Sequence, residues 1–588
     1  ISDTKTLTVT GNFENTGNVS GGNLKFTGAT GSEYTIKPTG NITSEIEIDT
    51  AGKESLAYEL NSGNLTVTNG TFDSDGNDIT LSGDFTNSGT FNAGAGNVTV
   101  TGNLTNSGTF SGTSASTVSV KETLDARLGT WSHAGKISFD GSSDQLFKND
   151  SSKEYPSLEV NSNVKIVQAD GTTENALKAE SLTVSSAKTL TAGDVTVSSS
   201  AQVTGTITAE DVTNNGTFTI DGTLSAGDFV NAFGKTVAGN SIINVSGTLT
   251  DSGSWAHTGT ISFNGTGVQL FKNTASNSYP AITTTKGLNV VQADGSTANS
   301  LKLKSLSVPA STTVSVAGLT FDSNGSITGS GKVTASGDFS SSGTFTASAC
   351  EIVFTGTNVT VGGNNTFNKV SFSGTGTIGI TGTNSFTDSA FTGSGAVITF
   401  SNGNTFGDVS FTGAGSTVKF GANKTQTVTG TLTSSGTSGS EIILTTDAAS
   451  PGVRDNSTWW ILDIPDSSNC SLSSTKIQYS KSEKELVKDW GSTVTESVTD
   501  STYNWFIRKF YWFGGSSTSW ADAGNWKSSA SAAGTMSTAP AEKSDINEII
   551  IYDKATYVPI LSSSEYKAKT FAVETGKKID LNGKKLTV

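Results

Sequence analysis

Apolar and polar residues alternate along this chain in short bursts rather than in long runs. Leu7-Thr8-Val9-Thr10 and Val98-Thr99-Val100-Thr101 are typical, with Leu and Val falling to one side and Thr to the other. A period of two predicts β-strands that bury one face. Asn-Gly, Ser-Gly and Thr-Gly pairs punctuate the bursts and supply tight turns and positive-φ positions.

The bursts recur at a fixed interval. Residues 83–101 read GDFTNSGTFNAGAGNVTVT and residues 102–120 read GNLTNSGTFSGTSASTVSV, an ungapped offset of 19. A looser copy, GNFENTGNV, runs from Gly11 to Val19, and beyond about residue 360 Asn-Thr/Ser-Phe openings recur in NTFNKVSFSGTGTIGI, NSFTDSAFTGSGAVITF and NTFGDVSFTGAGSTVKF. An antiparallel sandwich would also give short strands, but not near-identical units at a short fixed period. One unit of about 19 to 24 residues is the right size for one coil of a β-solenoid. At ~4.8 Å per coil, some twenty coils would make a rod on the order of 100 Å long.

A longer duplication overlies these units. Residues 131–184 begin WSHAGKISFDGSSDQLFKN, residues 255–308 begin WAHTGTISFNGTGVQLFKN, and the offset of 124 holds without gaps. Five or six coils should separate the copies. The grammar breaks between about 450 and 545, where seven of the nine tryptophans lie, and returns from about Ile546. Leu586-Thr587-Val588 matches Leu7-Thr8-Val9, so the last coil reads as though it could run into the first.

Composition narrows the class. Hydrophobic residues make up 33% of the 588 and charged residues only 15%, with 67 Gly and 8 Pro. Disorder predicts a high charge fraction, so the low charge favours many short strands over an unfolded chain. The net charge is −15 and Arg occurs only as Arg127, Arg454 and Arg508, which argues against nucleic acid as a partner. The acidic, hydroxyl-rich surface suits a secreted or cell-surface setting. No apolar run approaches the ~18 residues of a membrane span, and the absence of an initiating Met fits a piece of a longer precursor. Cys350 and Cys470 are too few for a disulfide framework, and sequence does not decide whether they pair.

Candidate chemistry is sparse. His133 and His257 are equivalents in the duplicated block, each two residues after a Trp, and a structural role suits them better than catalysis. Gly436-Thr437-Ser438-Gly439-Ser440 misses the nucleophile motif G-x-S-x-G at its last position. Asp73-Ser74-Asp75-Gly76-Asn77-Asp78 opens like a calcium loop, making Asp73, Asp75 and Asn77 the metal candidates. Asp78 stands where such a loop needs Gly and Asp84 where it needs Glu, so a solvated turn is the plainer reading. Thr is scattered rather than held in a strict T-x-T column, which disfavours ice binding. A β-helix polysaccharide lyase or hydrolase is a remote alternative, resting on fold analogy alone. In FYWFGGSSTSWADAGNW, from Phe510 to Trp526, the rings of Trp512, Trp520 and Trp526 are either glycan platforms or a solenoid cap.

The G-D/N-F/L-T-N-S-G rungs, the I-S-F-D/N-G phrases at 137–141 and 261–265, and W-F-G-G…S-W-A-D-A-G-N-W at 512–526 resemble bacterial surface proteins. These are long adhesin-like chains with filamentous-haemagglutinin-type or autotransporter-type right-handed β-helices. The resemblance implies export, a surface or matrix location, and assembly or attachment as the task. It carries over no catalytic residues and no cofactor.

The resulting expectation is an all-β chain: a right-handed parallel β-helix over 1–505, an aromatic connector or cap over 506–545, and a second β-helical section over 546–588. Its function would be that of an extracellular structural protein, a filament, sheath or matrix subunit self-associating end to end through Leu7, Val9, Leu586 and Val588. The alternative is an adhesin stalk that binds surface glycans.

Overall fold

A computed structural model describes residues 1, 4–452, 456–484, 486, 493–496, 498, 501–503, 505–506, 508–527, 547–551, 555–561, 565–568 and 570–587. The chain is all-β, with a parallel β-solenoid of about 26 turns, more than the twenty expected. Most coils keep the anticipated length, as in Ile79↔Val98 and Val98↔Val118, but the ladder Leu190–Ile207–Leu224 advances one coil every 17 residues. The chain divides into two compact units, Ile1–Val333 and Thr334–Val588.

In the first unit a coil is built from three short strands that form three faces. Thr90–Asn92, Val98–Val100 and Leu104–Asn106 make one coil. Each pairs in parallel with its counterpart in the next, Thr109–Gly112, Thr117–Val120 and Leu124–Asp125. Alternation decides what goes inside: Phe91, Val98, Val100 and Leu104 are fully buried, while Thr99 and Thr105 stay partly exposed. Backbone donors and acceptors are satisfied by neighbouring coils, so a coil gains its stability from being stacked rather than by itself.

Asn residues at the corners turn inward and bond along the stack. Asn87 Nδ2 donates to Asn106 Oδ1 at 2.7 Å and to the Thr109 carbonyl at 2.9 Å. Asn214 donates to Asn231 at 2.8 Å, and Asn231 to Asp251 at 2.7 Å. Asn87, Asn106 and Asn214 are the first residues of Asn-x-Gly phrases, and stacking them coil on coil pairs an amide that a largely apolar interior would otherwise leave unpaired.

In the second unit Phe takes over the stacking. Phe354, Phe372, Phe391 and Phe411 form one ladder, with ring centroids 4.9, 4.8 and 5.1 Å apart and near-parallel planes. Beside it, Gly356, Gly374, Gly393 and Gly413 bring successive coils into close approach, and a β-carbon on Gly393 would lie 1.8 Å from the Gly374 carbonyl oxygen. Towards the end of this ladder system the rings become indoles. Trp460 packs on Phe420 at 4.3 Å and on Trp505 at 6.0 Å.

The solenoid strands are followed in sequence by an aromatic-rich section with a small sheet of its own. Arg508–Trp512 pairs in parallel with Asn547–Ile551 and antiparallel with Trp526–Lys527, and Asn547–Ile551 pairs onward with Thr570–Val573. The described parts of 506–545 and 546–588 therefore share one four-stranded sheet and one core, in which Trp512, Trp520 and Trp526 pack with Ile549, Ile551 and Tyr566. Indoles leave water only if something apolar covers them, and the strand Asn547–Ile551 brings the isoleucines that do so. Residues 528–546, the remainder of the expected connector, lie outside the described residues.

Candidate functional site

The three calcium candidates do not converge on one point. Asp73 Oδ2 meets Lys53 Nζ at 2.9 Å, and its Oδ1 accepts from the Asp75 N–H at 2.9 Å and from Asn92 Nδ2 at 3.2 Å. Burial alone would raise the Asp73 pKa, but Lys53 and the two amide donors outweigh it and hold it below the ordinary value. The ammonium group thus stands where a cation would bind. Asp75 adopts φ 53° at the turn, and Asn77 Nδ2 donates to the Leu56 and Ser74 carbonyls at 3.1 and 3.0 Å. Among the described residues no group of three or more His, Cys, Asp or Glu is placed to hold a metal ion.

His133 and His257 both point into the interior, 2% and 3% exposed, and none of their four ring nitrogens has a hydrogen-bond partner. Burial pushes the His133 imidazole down to about 4 and lowers His257 in the same way. Trp131 stacks on Phe110 at 4.6 Å, and His133 meets the edge of the same Phe at 5.9 Å. Cys350 and Cys470 are both buried, and Cys350 Sγ donates to the Glu351 carbonyl at 3.5 Å. Gly436–Ser440 forms a tight turn closed between Thr437 and Ser440, without the strand-to-helix geometry of a nucleophile elbow.

The glycan platforms expected at Trp512, Trp520 and Trp526 are core residues instead, at 0%, 2% and 0% exposure. Trp512 Nε1 donates to the Tyr557 carbonyl at 2.7 Å and Trp526 Nε1 to the Trp520 carbonyl at 2.8 Å. A ring covered on both faces cannot stack on a sugar. Their number reflects the demand of a small sheet for large buried side chains.

Of the assembly residues, Leu7 is 45% exposed on the first strand, Thr6–Val9, where Leu7 pairs with Leu24 and the half-buried Val9 pairs with Phe26. Leu586 belongs to a two-stranded pairing with Glu565–Lys567 and packs against the tryptophan core. Val588 lies outside the described residues.

A cleft that the sequence reading missed lies over the early coils. It has a volume of about 510 Å³ and is lined by Thr39, Asn41, Tyr58, Glu59, Asn61 and Asn77, among others. Tyr58 is 53% exposed, against Tyr155 and Tyr279 at 1%. No signal in the sequence announced it: Leu56 and Leu60, two residues to either side, are buried, and strict alternation would turn Tyr58 inward with them. An exposed aromatic ring edged by amides and a carboxylate is a combination that suits sugar hydroxyls and C–H faces.

No family model, no curated protein and no solved structure matches this chain. The class is therefore defined by the fold alone, as a parallel β-solenoid repeat protein. No helix among the described residues is long and apolar enough to cross a membrane.

Proposed function

We propose that this protein is an extracellular structural solenoid whose task is mechanical: it holds a rigid spacing at a cell surface or in a matrix. The observation that carries the reading is like-on-like stacking in register, as in Thr206↔Thr223, Asp211↔Asp228 and Asn214↔Asn231 on adjacent coils, and Phe372↔Phe391↔Phe411 in the interior. Such stacks resist bending because a displaced coil loses backbone bonds and ring contacts together. The acidic, hydroxyl-rich outer positions support a hydrated, exported setting, and the isolation of the titratable groups described above supports a structural task over an enzymatic one.

A second reading, an adhesin stalk that binds surface glycans, is favoured by the cleft beside Tyr58. Negative-stain electron microscopy of the purified chain at neutral pH and moderate salt tests the structural reading. Filaments or separate particles of uniform width are expected, filaments marking a self-assembling subunit and separate particles a stalk; particles of irregular width would overturn it. Protease shaving of intact source cells tests location, with release of peptides from this chain as the expected result.

A further inference from the structure

The duplicated block carries a cleft in its second copy that the mechanical reading does not use. It has a volume of about 270 Å³, and His257, Tyr279 and Pro280 lie in its wall with Lys304, Asp322 and Ser323. These residues come from four successive stretches of chain, so the cleft runs across coils and not along a strand. His257 is 3% exposed and has no hydrogen-bond partner at either ring nitrogen. The Asp221 carboxylate and, less so, the Ile220 carbonyl favour the protonated ring without a hydrogen bond to either ring nitrogen, but burial outweighs them. A buried imidazole left unpaired in the wall of an open cleft leaves a donor and an acceptor for a ligand.

A comparison within the chain shows that the mouth of this cleft is retained. Ser278 Oγ donates to Asp322 Oδ2 at 2.8 Å, bridging two coils. At the equivalent positions of the first copy, 124 residues earlier, the partners are exchanged: Ser198 Oγ donates to Glu154 Oε1. Serine and carboxylate have swapped places while the bridge across 44 residues is kept. A pair that exchanges its members and keeps its bond points to a requirement at that place. Around it the charge differs. Lys302 is neutralised by Asp322 at 3.0 Å, and exposed Lys304 occupies the position held by Glu180 in the first copy.

We propose that the cleft of His257 and Lys304 binds a carboxylate-bearing sugar residue of an acidic glycan. Lys304 supplies the counter-charge at the rim. Thr258, Ser278 and Ser323 supply hydroxyl groups, and the His257 ring nitrogens meet a sugar hydroxyl. Tyr279 and Pro280, both buried, form the floor beneath these groups and do not stack on the sugar. A peptide is disfavoured because a cleft that crosses the coils offers no strand edge to extend. Glu180, at the position of Lys304 in the first copy, would repel the same anion there.

The test is calorimetric titration of the full chain with a hexamer of galacturonate, with maltohexaose as the neutral control. Binding of the acidic hexamer alone is expected. Lys304→Glu should weaken it by about tenfold or more, the scale of losing one charge-assisted contact. That variant keeps its fold because Glu already stands at the matching position of the first copy. His257→Phe, which retains the buried ring, should weaken it several-fold, whereas Tyr58→Ala should leave it unchanged, separating this cleft from the one near the start of the chain. No binding at millimolar hexamer, equal binding of maltohexaose, or undiminished affinity in Lys304→Glu would overturn the proposal.

Discussion

Ile137 and Ile261 hold the same position in the two copies of the duplicated block, yet they stand on different ladders of the solenoid. From Ile137 the ladder runs through Leu158, Leu182, Ala201, Phe218 and Val237 to Trp255. From Ile261 it runs back through Ile243, Leu224, Ile207, Leu190 and Val164 to Gln145. The 124-residue repeat thus spans six coils and one further face, so the second copy is advanced by a third of a turn. Both isoleucines are fully buried all the same. A strand phrase fits any face because all three faces ask for the same alternation of inward and outward positions.

The corner amides should be costly to remove. Asn384 accepts from Asn365 Nδ2 at 2.8 Å and from the Asn365 N–H at 3.2 Å, and its own Nδ2 donates to the Thr381 carbonyl at 3.1 Å. Asn384→Ala takes this acceptor from the Asn365 N–H, while Asn365 Nδ2 keeps the Gly362 carbonyl at 3.2 Å, a loss of about 1–3 kcal/mol. Chemical denaturation should show a lower midpoint with an unchanged slope, while Asn402→Ala, at a half-buried position whose backbone carbonyl accepts the bonds, should change little.

Close approach makes the opposite kind of prediction at Gly393. Adding one methyl group forces coils apart, because the nearest atom is the Gly374 backbone oxygen and not a side chain that can turn away. Gly393→Ala should lower the melting temperature by more than Gly395→Ala does in spite of the latter's positive φ of 69°, since Gly395 has no atom in the way. Differential scanning fluorimetry of the two variants reads the order directly.

The repeat made the fold legible. Gly-x-Phe/Leu-Thr-Asn-Ser-Gly fixes an inward apolar residue, a corner amide and a turn in one phrase, and its 19-residue recurrence reappears as Phe85↔Leu104 and Asn87↔Asn106. The sites were less legible because they depend on residues several coils apart. The roles of Trp512 and Trp526 stayed open between platform and cap, since the strand that packs with them, Asn547–Ile551, lies beyond a long intervening stretch. The cleft at His257 needs four coils in place before Lys304 and Asp322 can meet the histidine, and no local spacing announces it.

Glu54 gives a pH dependence of one sign. It occupies an inward position between Tyr34 and Phe72, is 1% exposed, and one carboxylate oxygen has no partner. Its neighbour Lys53 faces outward to Asp73. Burial raises the Glu54 pKa to about 7, above the ~4.3 of an unfolded chain. Its contribution is fully present below that unfolded value and is lost as pH rises through 7. Glu54→Gln should therefore be more stable than the parent at pH 8 and close to it at pH 4, as read by denaturant midpoints at the two pH values.

His133 gives the reverse sign. Its folded-state value of about 4 lies below the ~6.5 of an unfolded imidazole, so folding favours the neutral ring. The stability tied to the neutral ring is present above the unfolded value and is lost as pH falls through 4. The full effect is at most about 3 kcal/mol, from the 1.36 kcal/mol carried by each pKa unit. Phe at this position would fill the space beside Phe110 and Trp131 without a group to protonate. Between pH 7 and pH 4, His133→Phe should lose less stability than the parent, and the difference should vanish above pH 7.5. An equal loss in both proteins would show that the ring reaches a proton acceptor or water in the folded state.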